Sequence, residues 1–523
     1  MKTKSYLPAG LLPTSLDRLL FNPHENPEVY YLLNYLVFNK NSIFCATLLG
    51  LTLGLDSCVN YIGVHHKQHL KKPEQFASKK SLVSKNGTWP RMDWATQFDP
   101  HLPSLIHEGL ANNPDLQIAV ARQSQAQALV EGRNAALLPR IDFIGFASRS
   151  KAIFPFFHLL QNFGIAALNF HYELDFWGKN YSSLAQALSQ EKASQAVLYQ
   201  SALMISTMIA SVYNQLEYEY SIREVLLRTL KQRTLLNTIT AKLFKSGLAT
   251  EVQVYQAQNV YADVQTQLVA IEGQIQRTRQ QLGVLLGGGP DRGFTIPRPK
   301  FSTLAEPKLP PNLPINLLGR RPDIVAARWQ VEASLHGVKQ VKAQFYPNVD
   351  LLAAAANFSF GTAALFRDSN QFLGSAAAVT LPIFDGGVLR AQLKGHYAQL
   401  DEQIALYNST LNKALGEVAE HITLIHSVDK QLKVQKNALS ASRRAFELAQ
   451  KQYEFGLTSQ IVMLNAETHY LEEQQARLQL IRSRRDLQIA LIKALGGGFN
   501  ECFLPTPRTT ASPNHFLKKD EHV

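Results

Sequence analysis

Asn113-Pro114-Asp115-Leu116 is followed, 25 residues after its proline, by Pro139-Arg140-Ile141-Asp142; Arg321-Pro322-Asp323-Ile324 is followed, again 25 residues after its proline, by Pro347-Asn348-Val349-Asp350. The register persists. Leu174-Asp-Phe-Trp-Gly178 matches Leu381-Pro-Ile-Phe-Asp385, Gly247-Leu248 matches Gly456-Leu457, and Leu286-Gly-Gly-Gly289 matches Leu495-Gly-Gly-Gly498, at offsets of 207 to 209 residues. Two halves of roughly 190 residues therefore carry one plan, and the function must be one that two such units share.

Each half holds a very long helical pattern. Tyr181 to Ser246 contains neither Gly nor Pro, and Val388 to Phe455 contains no Pro and only Gly395 and Gly416. At 1.5 Å per residue each would reach about 100 Å, far beyond an ordinary globular helix. Each ends at Gly-Leu, and the chain returns for roughly 40 residues to the Leu-Gly-Gly-Gly stop, so each half should be a helical hairpin with its tip at Gly247 or Gly456. Such hairpins bury their apolar stripes by lying against other hairpins. Ahead of them, Leu102, Leu105, Ile106 and Leu110 recur at helical spacing, Asn112-Asn113-Pro114 breaks the pattern, and Asp115 to Leu138 reads as a second helix.

Between the short and long helices the character changes. From Ala167 to Trp177 the residues Leu168, Phe170, Tyr172, Leu174 and Phe176 alternate with Asn169, His171, Glu173 and Asp175, as a transmembrane barrel strand would. Less regular, Ala-rich partners lie near 141–150, 349–360 and 372–383. Four strands cannot close a barrel, and open edges are not tolerated in hydrocarbon. If the strands span a membrane, several chains must share one barrel. The fold class expected is mainly α with a small β part: duplicated long helical hairpins plus four transmembrane strands.

Hydrophobic residues make up 46% of the 523, mean hydropathy is -0.12, and beyond the N-terminal region no run of about 18 apolar residues occurs, which argues against a polytopic helical membrane protein. The net charge of +12 is dispersed and no basic stripe interleaves with aromatics, so no nucleic-acid partner is expected. The apolar stretch Ile43–Leu55 has signal-peptide length and ends in Leu55-Asp56-Ser57-Cys58, which resembles the bacterial lipobox and makes Cys58 the candidate for lipidation. The stretch before Lys40 exceeds an n-region, which predicts a translation start downstream of Met1. Gly287-Gly-Gly-Pro-Asp-Arg-Gly293 closes a helix and lacks a following Gly-Lys-Ser/Thr, so it is no phosphate loop. His65-His66 has no partner at metal-ligand spacing. No catalytic, metal or cofactor site is expected, and the chain reads as a non-enzyme.

Trp94-Ala-Thr-Gln-Phe-Asp-Pro-His-Leu102, Gly109-Leu-Ala-Asn-Asn-Pro-Asp-Leu116, Leu318-Gly-Arg-Arg-Pro-Asp-Ile-Val-Ala-Ala327, Leu381-Pro-Ile-Phe-Asp-Gly-Gly387 and Ala494-Leu-Gly-Gly-Gly-Phe499, in that order, resemble the TolC-like outer-membrane factors of Gram-negative bacteria, in the NodT-type lipoprotein branch serving resistance-nodulation-division efflux pumps. The resemblance implies a homotrimer with one twelve-stranded barrel and a periplasmic α-helical tunnel, a lipid anchor in the outer membrane, and a passive duct fed by an inner-membrane pump through a periplasmic adaptor. Export of drugs or other small molecules is the function it implies. A metal-ion efflux duct, a type I protein secretion duct and, from another class, a soluble periplasmic coiled-coil scaffold are the alternatives.

The tips Gly247-Leu248 and Gly456-Leu457 are the expected adaptor-docking surface. By the same resemblance the periplasmic gate falls at Ile461 and Asn465, where relatives hold an apolar residue and an acid, with Tyr453 where other relatives hold a gating tyrosine; the acid and arginine that help close those gates are replaced by Gln253 and Thr458. The organisation expected is an N-terminal extension and lipoprotein signal over 1–57, a lead segment over 58–100, repeats over 101–289 and 316–498 joined by 290–315, and a disordered tail over 499–523.

Overall fold

The computed structural model describes residues 63–78, 82, 87–154, 156–300, 310, 313–360 and 371–501. The chain divides into Met1–Val64, almost all of it outside those residues, and His65–Val523, which holds every element below. Cys58 lies outside the described residues.

The first repeat runs α1 (Leu102–Asn112), α2 (Pro114–Ala135), β1 (Arg140–Phe154), β2 (Phe157–Leu174), α3 (Lys179–Lys245) and α4 (Glu251–Leu285). The second runs α5 (Leu313–Arg320), α6 (Pro322–Ala343), β3 (Asn348–Phe360), β4 (Gln371–Thr380), α7 (Val388–Glu454) and α8 (Gln460–Ala494). The duplication is thus element for element. Both long helices have 67 residues and both return helices 35.

All four reversals use one device. Gly247, Gly287, Gly456 and Gly496 have φ between +72° and +89°. At the first tip Gly247 N donates to Phe244 O at 2.9 Å and Leu248 N to Leu243 O at 2.8 Å; at the second, Gly456 N donates to Tyr453 O and Leu457 N to Gln452 O. This is the Schellman pattern, in which a left-handed residue lets two N–H groups satisfy the last free carbonyls of the helix.

The break motif and the glycine stop meet in space. Asn113 caps α2 by accepting from Asp115 N and Leu116 N, while its amide donates to Leu285 O at 2.9 Å, the end of α4. Its counterpart Arg321 donates to Ala494 O at 3.1 Å, the end of α8, and to Asp323 and Glu417. The repeated sequence signature is therefore a repeated clamp of a helix start onto a return-helix end.

α3 is the spine of the molecule. It packs on α2 and α4 of its own repeat and on α6 and α8 of the other. Ile209, Tyr213 and Leu216 are fully buried in a core with Trp94, Leu102, Leu282 and Leu286. By length and composition α3 alone among the described helices could cross a membrane; Ile205, Ile209, Ala210, Tyr213 and Leu216 of its apolar stretch are buried in this core, while Met204 and Met208 are exposed. Around the same level a belt of buried charge ties four helices together. Arg484, 2% exposed, binds Asp429 of α7 at 2.6 Å; Arg485 binds Glu217 of α3; Asn214 donates to Asp486; and Thr278 of α4 donates to Glu219. Burial pushes the Asp486 carboxyl up, against the Asn214 and Ser211 hydrogen bonds and the Arg482 charge that pull it down. Ion pairs so enclosed contribute little net stability but penalise any other register of the two hairpins.

The four strands form one antiparallel sheet in the order β1-β2-β3-β4. β2 starts ten residues earlier than the alternation predicts and stops at Leu174 instead of Trp177. Asp175 leaves the sheet because its carboxylate accepts from Tyr181 N at 2.7 Å in the first turn of α3, and Trp177 stacks on Tyr346 and donates to Pro347 O. β4 likewise ends at Thr380, and Asp385 takes the N–H groups of Gly387 and Leu389. A second departure concerns the tail placed at 499–523. Its first residue, Phe499, is buried against Tyr199, and Glu501 pairs with Arg328, so order extends at least to Glu501.

Candidate functional site

The candidate sites lie at the two ends of the helices. At the tips the Schellman turns leave the following leucine without a core to enter: Leu248 is 75% and Leu457 76% exposed. Thr250 and Gln253 then form a capping box that starts α4, with Thr250 N donating to Gln253 Oε1 at 2.9 Å. Gln253, which the resemblance sets where relatives hold a gating acid, is committed to capping here. Gln232, fifteen residues before Gly247, donates to Leu464 O and Thr468 Oγ1, eight and twelve residues after Gly456. At 1.5 Å per residue the two tips therefore lie within about 10 Å of one level.

Tyr453 stands in the last turn of α7 and Ile461 in the first of α8, so both belong to the second tip. Asn465 lies one helical turn beyond Ile461. Its side chain is exposed and forms no hydrogen bond among the described residues, whereas Leu464 beside it is buried, and its carbonyl accepts from Gln232 of α3. Val462, Asn465, His469 and Glu472 make an exposed stripe at three- and four-residue spacing along one side of α8. Glu467, off that stripe, is pushed up by burial, which Lys231 opposes. The belt around Arg484 was not legible in the sequence; the adjacent Arg482, Arg484 and Arg485 in a return helix were its only signal.

At the other end the sheet presents apolar side chains outward. Ile141, Phe143 and Leu168 are exposed, and β1 and β4 each have one unpaired edge. The opposite face, over the rungs nearest the helices, holds Arg140 bound to Asp142 and His171 Nε2 at 3.0 Å from Asp350. No group of three or more candidate metal-ligating side chains occurs among the described residues.

A sheet with two open edges and, over the rungs nearest the helices, an apolar face opposite a charged one, joined to helices of about 100 Å, defines the class of outer-membrane channel subunits. The family model described as "Outer membrane efflux protein" matches residues 105–288 and 313–497, and the chain belongs to that family. It is similar to the multidrug resistance outer membrane protein MdtP of Escherichia coli K12, at 29% identity over 475 residues, 87% of this chain and 96% of that one. The fusaric acid resistance protein FusA of Burkholderia cepacia is 34% identical over 327 residues, 60% of this chain and 61% of its own. Among solved structures, the outer membrane protein VceC of Vibrio cholerae is 34% identical with a TM-score of 0.71, covering 79% of this chain and 100% of that one. The protein is an outer-membrane efflux channel, not an enzyme, and the scaffold alternative falls with that assignment.

Proposed function

We propose that three copies of this chain form the exit duct of a tripartite pump: twelve strands close the barrel, the hairpins form the periplasmic tunnel, and a periplasmic adaptor couples the tips to an inner-membrane pump of the resistance-nodulation-division class. Drugs and other small molecules are the cargo. The observation that carries the reading is the four-stranded sheet, whose open edges at β1 and β4 require neighbouring copies in hydrocarbon. The names of MdtP and FusA, for multidrug and fusaric acid resistance, support the small-molecule cargo.

Docking at the tips is testable directly. Leu248→Asp and Leu457→Asp place a charge where an apolar side chain now projects, without disturbing either glycine turn. In cells that depend on this duct, each exchange should lower drug export about tenfold, as loss of an exposed anchor does, while heat-labile trimers persist in the outer membrane. Full export by the double exchange would move docking away from the tips, and absence of trimers from the unmodified protein would defeat the duct itself.

The lipid anchor on Cys58 is supported by the lead segment. His66 stacks on Tyr397, the N–H groups of Lys67 and Gln68 bind Asp401, and Lys71 N binds Asn408, so the segment runs down α7 away from the strands. Its upstream end is therefore the end nearer the sheet. Acyl chains there would add about 0.8 kcal/mol of anchoring per buried methylene. Cys58→Ser should abolish palmitate labelling and leave trimers intact; labelling that survives the exchange would place the lipid elsewhere.

A further inference from the structure

Three helices enclose a cavity of about 470 Å³ partway up the hairpins, a volume in the range that holds a small organic ligand. α7 lines it with Lys436, Ser440 and Arg443, and α8 with Tyr470, Gln474 and Arg477, each row at i, i+4 and i+7 along one helix face. Arg228 of α3 closes the third side. The charge is one-sided. Arg228, Lys436 and Arg477 make no hydrogen bond or ion pair with any described residue, and Arg443 pairs with Glu447 of its own helix at 2.8 Å. Glu224 is the only acid on the lining, and it is taken: the Arg298 hydrogen bond holds its carboxyl below the ordinary value. Four cations thus share a space in which like charges repel until an anion enters.

The cations stand in two tiers. Lys436 and Arg477 lie 20 and 21 residues from Gly456 along α7 and α8, and Arg443 lies 13 residues from it, about 10 Å nearer the tip. Arg228 is one turn farther from the tip than Gln232, which reaches Leu464 and Thr468, so it shares the lower tier with Arg443. Val225 and Leu439, also on the lining, fall between the tiers.

The cavity opens on a side of its own. Gln474 follows Asn465 by nine residues, or about two and a half turns, and so lies across α8 from the exposed stripe that holds Asn465. With that stripe toward the lumen, the cavity opens on the outer wall of the tunnel. α7 also carries an exposed apolar row at seven-residue spacing, Val434, Ala441 and Leu448. Ala441 is about 140° round the helix from Lys436. A neighbouring copy that covers this row therefore leaves the cavity open.

We propose that the cavity is a binding site for small organic dianions, molecules with an aromatic or aliphatic body and a carboxylate, sulfonate or phosphate toward each end. Lys436 and Arg477 take one acidic group, Arg228 and Arg443 the other, and Val225 and Leu439 hold the body. Arg228 belongs to the first hairpin and the other three cations to the second, so a bound dianion ties the two hairpins together. The outer-wall placement rests on the tunnel reading; the site itself does not, since one chain supplies every group.

The test is isothermal titration calorimetry of the full-length protein in dodecyl maltoside, with naphthalene-2,6-disulfonate as the probe. One saturable site per chain is expected, in the micromolar range at low salt. Naphthalene-2-sulfonate should bind about tenfold more weakly because one tier goes unused, and the neutral 2-naphthyl β-D-glucoside should show no saturable binding. Arg228→Gln and Arg477→Gln, one from each tier, should each weaken the disulfonate about tenfold. Arg444→Gln removes the same charge from outside the lining and should leave the affinity unchanged. The site is overturned by absence of saturable binding to the unmodified protein, by equal affinity for the mono- and disulfonate, or by full affinity in the double exchange. An equal loss in Arg444→Gln overturns it too, since net charge alone would then explain the binding. Size-exclusion chromatography of the same sample reads trimer formation separately. Binding by a protein that forms no trimer would uphold the site while defeating the duct.

Discussion

Gly496→Ala should cost the fold at least about 3 kcal/mol and abolish trimers, while the same exchange at Gly247 should cost only about 1 kcal/mol. Both residues occupy the left-handed position of a Schellman turn, with φ of +89° and +72°, so the conformational penalty is shared. Their surroundings differ. A Cβ on Gly247 meets nothing, whereas one on Gly496 would overlap the carbonyl oxygen of Arg320 at the end of α5. That carbonyl belongs to backbone and cannot swing aside, and the neighbouring Arg321 is already committed to Ala494 O, Asp323 and Glu417. Gly287→Ala should behave like Gly496→Ala, because a Cβ there overlaps the Asn112 carbonyl in the equivalent clamp of the first repeat. Denaturant midpoints and the yield of heat-labile trimers would rank the three. If Gly247→Ala and Gly496→Ala proved equally costly, the close approach of the clamp would not be what the repeated glycine stop is for.

That contrast also marks what a sequence can and cannot convey here. The duplication, both hairpins and their tips were legible because they depend on local rules: absence of Gly and Pro, then a left-handed residue. The role of Gly287 and Gly496 in admitting another helix end was not, since it depends on where Asn112 and Arg320 arrive. The alternation at 167–177 identified a strand but misplaced both of its ends. Asp175 fits the polar side of a strand as well as it fits a helix start, and upstream of Ala167 the pattern is broken by Gly164 and by the move of bulk to Phe163 and Ile165, which share the face of Asn169 and His171. The buried belt was hidden for another reason. Arg484 reads as a solvent-facing arginine until Asp429, on the opposite arm of the same hairpin, is placed 2.6 Å from it. At the candidate gate the resemblance supplied Ile461 and Asn465, and the structure adds only that Asn465 belongs to an exposed stripe free to face a lumen.

At that gate, Asn465→Asp should make the reconstituted channel several-fold more cation-preferring, and Ile461→Ala should raise its conductance about twofold. In a trimer the first exchange would set three carboxylates around the axis. A cation about 6 Å from each gains roughly 0.7 kcal/mol per carboxylate in water, and screening at 0.1 M salt leaves a total on the order of 1 kcal/mol, which is a five- to tenfold change in ion preference. The unmodified stripe is not devoid of acid, for Glu472 lies two turns farther from the tip, and its carboxylate is 3.2 Å from His469. That acid is about 10 Å farther along the helix, roughly one Debye length at this salt, so it cannot substitute for a carboxylate at position 465. The sign follows from charge alone: added acid attracts cations, and Asn465→Lys should reverse the preference. Ile461→Ala acts on width and wetting instead, and its effect should be the same for both ion signs. Reversal potentials in a salt gradient separate the two mechanisms. If neither reversal potential nor conductance moves in any of these variants, the constriction lies at another level of the tunnel.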